Sequence, residues 1–110
     1  MKLPGADKAI IAPEKLRDYL LNPGHRRGGP KARLLQSFGY RRDEWRRLDR
    51  DLRDQHLGCE VAQVLQGDYG VRYDIVGPIR TPCGRSLHVR SIWQIDTGMS
   101  VPRLITMVPE

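Results

Sequence analysis

"VRYDIVGPIRTPCGRSLHVRSIWQI", residues 71–95, decides the fold. Two runs rich in branched and aromatic residues, Val71–Ile79 and Ser86–Ile95, flank the turn-like "RTPCG". In the second run Leu87, Val89, Ser91, Trp93 and Ile95 alternate with His88, Arg90, Ile92 and Gln94. A period of two is the signature of a strand with two unlike faces. One face is mostly apolar, and the other carries the basic pair His88 and Arg90. So short a connection favours antiparallel neighbours. Outward from this pair, "GDYG" and "DTGMS" are again short and turn-like. They separate two further strands, Cys59–Gln66 and Pro102–Val108. The second half of the chain therefore reads as a four-stranded antiparallel meander.

The period changes upstream. Pro13 suits a first helical position, and Leu16, Tyr19 and Leu20 then fall on one helical face. Asn22–Pro23–Gly24 stops that helix. Pro30 starts a second, with Ala32 and Leu35 inward and Gly39 as its stop. A third begins near Asp43, with Trp45, Leu48 and Leu52 inward. Its other face alternates Arg and Asp from Arg46 to Asp54, which reads as a solvated, salt-bridged surface. The expected class is α+β, with two to three N-terminal helices packed on one face of the sheet. At 110 residues the chain is expected to be one domain, with a helical half at about 13–57 and a sheet half at about 59–108.

Composition excludes several classes. No apolar run reaches the roughly 18 residues that a membrane span needs. Asp7, Lys8 and Pro4 interrupt the N-terminus, so it does not read as a signal peptide. The expected location is the cytoplasm, or wherever a larger delivery system places the chain. Cys59 and Cys83 form neither a metal pattern nor a disulfide framework, and they read as free thiols. His25, His56 and His88 lack zinc-ligand spacing, so no metal or other cofactor is expected. His56, at the end of a helix, reads as a favourable C-terminal cation.

Charge says more. The balance is +6, from 19 basic and 13 acidic residues. Between Tyr19 and Arg42 there is no acid, but there are Arg26, Arg27, Lys31, Arg33, Arg41 and Arg42. Outside that stretch the signs balance, so the whole excess is local. A local excess points to an anionic partner, and arginine's planar fork suits phosphate.

The stretch "NPGHRRGGPKARLL", residues 22–35, concentrates this charge. Pro30 places Lys31 in the first turn of a helix whose N-terminal N–H groups already carry partial positive charge. Stability alone favours Asp or Glu there. Arg26, Arg27, Gly28 and Lys31 together read as an anion seat, and the alternative is a flexible basic loop. The stretch is not a P-loop, because it lacks both the G-x-x-x-x-G-K-[ST] spacing and a preceding strand. His25 reads either as a loop-fixing hydrogen bonder or as a proton carrier near neutral pH.

"KLPGADKAII", "KLRDYLLNPGHRRGGPKARLL", "YGVRYDIVGPIRTPCGR", "VRSIWQI" and "PRLIT" together resemble an uncharacterised bacterial family. Its members occur as small standalone proteins and as C-terminal domains of polymorphic toxins. Asn22, Pro23, His25, Gly28, Lys31 and Ala32 match its loop pattern. Arg26 stands where members often have proline, and Met107 and Val108 follow Thr106 where members often have alanine and tyrosine. The order of helices and then sheet is similar to the barnase, EndoU, colicin and RelE group of ribonucleases.

The resulting expectation is a toxin-like, metal-independent endoribonuclease. His25 would act as acid or base, Lys31, Arg27 and Arg90 would hold the phosphate, and Thr106 would donate a hydrogen bond to it. Tyr73 or Trp93 would stack a base, or else belong to the core. The alternative is a non-catalytic module that docks RNA, another polyanion, or an antitoxin or immunity protein.

Overall fold

The computed structural model describes residues 1–110. Its strands are Val61–Gly67 (β1), Gly70–Arg80 (β2), Ser86–Asp96 (β3) and Arg103–Pro109 (β4). They form one antiparallel sheet in the order β1-β2-β3-β4. β2 and β3 pair without a shift from Gly70–Asp96 to Arg80–Ser86, so the alternation in residues 71–95 is preserved along both strands. Pro78 sits in β2 past the last β1 partner, which pairs with Ile75. By the antiparallel alternation its nitrogen faces the side that β1 has vacated, so its missing N–H breaks no ladder bond.

Upstream lie two α-helices, Gly29–Ser37 (α1) and Trp45–Asp51 (α2), and two π-wound segments, Lys15–Leu20 and Leu52–His56. Pro30 stands at the start of α1, as its fixed φ favours. Gly39 follows α1 with φ +99°, a conformation that only glycine adopts freely. A side chain there would also press on Pro82 at 3.0 Å. That close approach ties the end of α1 to the β2–β3 turn. The Cys83 amide donates to the Phe38 carbonyl at 3.1 Å, and the Arg85 guanidinium lies 4.4 Å from the Phe38 ring centre.

One apolar cluster of 17 residues joins the two halves of the chain. Leu16, Leu20, Leu35, Leu48 and Leu52 meet Ile75, Ile79, Val89, Trp93, Leu104 and Met107 in it. Trp93 is fully buried and Tyr73 packs against the cluster, so Trp93 belongs to the core and offers no stacking face.

His56 departs from expectation. It is 0% exposed instead of a cation in solvent. Its Nε2 lies 2.6 Å from Ser91 Oγ, and that oxygen accepts from Trp93 Nε1–H at 2.8 Å. Its Nδ1 is buried without a hydrogen-bond partner. Burial pushes the imidazole down to about 4, against a weaker upward pull from the backbone of Gly77 and Ile75. The ring is therefore a neutral tether between the helical half and β3. The Arg/Asp face of the third helical segment is partly tied down as well. Asp51 is buried and accepts from Tyr40 Oη–H at 2.7 Å and from Arg47 at 3.0 Å.

Candidate active site

The cleft is built where the Lys15–Leu20 segment, the loop before α1 and β4 meet. Leu16 and Leu20 turn inward and are fully buried, which leaves Tyr19 at the border of the core. β4 is irregular at the same level. Ile92 pairs with Thr106 and Trp93 with Leu104, leaving Ile105 without a partner. Such a bulge re-aims the side chain beside it. Thr106 Oγ1 thereby comes within 3.0 Å of Tyr19 Oη.

Lys31, in the first turn of α1, closes a triangle. Its ammonium donates to Tyr19 Oη at 2.8 Å and to Thr106 Oγ1 at 2.9 Å. It is half-buried, and both of its partners are hydroxyls; no carboxylate pairs with it. Lys15 and Lys31 also lie 5.6 and 5.2 Å from the Tyr19 ring centre. Burial tends to raise the Tyr19 phenol, but hydrogen bonds from Lys31 and Thr106 and the charges of both lysines outweigh it. The net shift is downward. The triangle therefore favours a phenol that gives up its proton more readily than usual.

Beyond Tyr19 and Thr106 opens a cleft of about 590 Å³, whose walls also include Glu14, Lys15, His25 and Arg27. Lys31 reaches the two hydroxyls from the α1 side. The His25 ring meets the Tyr19 ring edge-on, at 4.9 Å between centres. Its Nδ1 accepts the backbone N–H groups of Arg27 and Gly28, both at 3.0 Å. While those hydrogens point at Nδ1 there is no room for a proton on it. The ring proton then sits on Nε2, as a donor.

The expected residues are distributed as follows. His25, Arg27 and Thr106 line one cleft, with Lys31 bonded into its wall. Arg26 is exposed in the same loop. Gly28 is buried, and its amide is spent on His25. A side chain at Gly28 would collide with the Tyr19 carbonyl and ring. Gly28 is thus needed for close packing against Tyr19, and the backbone donors expected to hold an anion are taken by the imidazole. Arg90 stands apart from this group. It pairs with buried Asp74 at 3.0 Å and with Glu110 at 3.3 Å, while Asp74 also takes Arg72. Tyr19 was not legible as a site residue, because Leu16, Tyr19 and Leu20 satisfy the same helical face that any apolar residue would.

Of the two cysteines, Cys59 is half-buried and Cys83 is exposed. A hydrogen bond from Thr81, then the backbone and side chain of Arg85, bring the Cys83 thiol down to about 7. Alkylation at neutral pH should therefore label Cys83 first, with a rate that rises through pH of about 7. Peptide mapping after a short iodoacetamide pulse checks this, and preferential labelling of Cys59 would refute it.

No curated protein matches the chain in sequence. In structure it is similar to a chain from a contact-dependent growth inhibition toxin–immunity protein complex of Klebsiella pneumoniae 342. The TM-score is 0.69 at 14% identity, over 92% of this chain and 99% of that one. The likeness extends along essentially the whole of both chains, and at that identity it speaks for the fold. Residues 2–110 match the family described as "Domain of unknown function (DUF6883)", and the chain belongs to that family.

Proposed function

We propose that this protein is a toxin-related, metal-independent endoribonuclease. The observation that carries the reading is the Lys31–Tyr19–Thr106 triangle, a half-buried cation with hydroxyl partners only, whose two hydroxyl residues line a cleft beside Arg27 and His25. The reading takes the helices to lie on the Val89–Ser91–Trp93 face of the sheet, which the His56–Ser91 contact supports. The ribonuclease group to which the order of elements is similar supports it by analogy of fold.

In this reaction the RNA 2′-hydroxyl attacks the adjacent phosphorus and the 5′-oxygen leaves. A base must take the 2′ proton, an acid must protonate the leaving oxygen, and cations must steady the charge that grows on the phosphorane. Tyr19, as the phenolate favoured by Lys31, takes the 2′ proton. Thr106 gives its hydroxyl proton to the 5′-oxygen, Lys31 replaces it, and Tyr19 returns a proton to Lys31. The three groups end as they began. Arg27 and the His25 Nε2–H hold the non-bridging oxygens. His25 thus enters as a donor and as the fixer of its loop, and Arg90, already paired, stays outside the scheme.

A second reading is favoured by the local basic excess and by the toxin–immunity complex that holds the structural neighbour: a module that docks RNA or an immunity partner without cleaving. Incubating the purified protein with single-stranded RNA in EDTA separates the two. Cleavage that leaves 2′,3′-cyclic phosphate ends, abolished on 2′-O-methyl RNA, is the expected result. Salt-sensitive RNA retention without cleavage would overturn the enzyme reading and leave the docking one.

A further inference from the structure

β1 is the exception on the surface of this protein. Residues 62–67 are all exposed, on both faces of the strand. The segment Val61–Gly67 carries no charge, in a chain of which 29% is charged. Val64 is 45% and Leu65 41% exposed, and Tyr69 in the adjoining turn is 82% exposed. Edge strands are normally blunted by lysine, proline or a cover, because their free backbone groups pair with any strand that arrives. The opposite edge follows that rule. Ile10 bridges to Arg103, and the backbone of Ile10 bonds both Pro102 and Leu104 along the start of β4. On β1 the corresponding cover stops at its first residue, where the Val61 amide donates to the Met1 carbonyl.

We propose that β1 is the pairing edge for a second copy of this chain, joining two sheets into one of eight strands. The backbone selects the pairing. Gly67 and Gly70 close the two-residue turn Asp68–Tyr69, so they form a hydrogen-bonded pair. By alternation Leu65 and Gln63 also face β2, and the N–H and C=O groups of Val64 and Gln66 point outward. A two-fold axis through Leu65 pairs Val64 of each copy with Gln66 of the other and brings the two Leu65 side chains together. A register centred on Val64 would instead oppose Glu60 to Asp68, with like charges facing.

Charge also favours a second copy over a foreign strand. Nothing charged lies along β1 to select a particular partner, and specificity for one is usually written in charges. Two copies each carrying +6 repel one another, and β1 offers an edge along which neither brings a charge. The cleft sits against β4, three strand spacings or about 14 Å away across the sheet. Pairing through β1 keeps the two clefts on the far edges, open and apart.

Sedimentation of the parent protein across the micromolar range tests this, beside Leu65→Lys and Gln66→Pro. Leu65→Lys sets two ammonium groups against each other, and Gln66→Pro removes an outward N–H. The parent should sediment at the dimer mass, and each variant should weaken association by at least about tenfold. Unchanged circular dichroism and thermal midpoint in the monomer form would show that the variants are folded. A parent that stays monomeric throughout, or a dimer that survives both substitutions in folded protein, would overturn the proposal.

Discussion

Lys31→Met should lower RNA cleavage by roughly a hundred- to a thousandfold, the usual cost of removing one charged donor from a site that steadies a developing anion. The ammonium bonds both Tyr19 Oη and Thr106 Oγ1, so its loss withdraws the charge that favours the phenolate and the proton supply to Thr106. Tyr19 is held below its ordinary range mainly by Lys31 and Thr106, against burial. Without Lys31 the basic form should appear only at higher pH, so the rate profile of the variant should move to the alkaline side and recover part of its activity there. Tyr19→Phe should lose as much activity, with no such recovery. Thermal stability should change little in Lys31→Met, because a half-buried cation without a counter-charge leaves and the hydroxyl pair at 3.0 Å stays. Full activity with a large fall in stability would make Lys31 a structural pin and remove the base from the scheme.

The second large effect is on stability in acid. His56 is fully buried and titrates at about 4 in the folded protein, against an ordinary value of 6.5. Between those values the unfolded chain binds a proton that the folded one refuses, so stability rises with pH through that window. The contribution is whole above pH 6.5 and is lost as pH falls toward about 4, by about 3 kcal/mol in all. Urea midpoints measured across the window should show the decline. His56→Asn, which does not titrate, should start less stable and give a flat line from pH 6.5 to about 4. A parent midpoint that is level over this range would mean that His56 charges without penalty, against its burial. The carboxylates held down by arginines, Asp18, Asp74 and Asp96 among them, should add their own losses at still lower pH.

What was legible follows from which signals are local. Strand alternation in residues 71–95 is a property of neighbouring positions, so the meander and the short turns were readable, with ends within two residues of those observed. Pro30 and Gly39 marked α1 for a similar reason, since each restricts or frees its own backbone. His25, Arg27 and Thr106 line one cleft and Lys31 bonds to Thr106, whereas the expected set also included Arg90. His25 carries the same letter whether its ring nitrogen is free or accepts two amide hydrogens, and only folding of the loop decides which. Arg90 looked available on its strand, yet Asp74 on the adjacent strand and Glu110 at the far end of the chain claim it.

The sequence by itself determined the class of the elements, their order and the place of the charge, because periodicity, turn residues and composition act over a few positions. Tertiary structure alone decided that Tyr19 stands between Lys31 and Thr106, twelve and 87 positions away along the chain. It also decided that His56 is a buried neutral tether and that β1 is left bare. The reason is common to all three. Burial, a shifted proton affinity and an unpaired edge are properties of what surrounds a residue, and those surroundings come from distant parts of the chain.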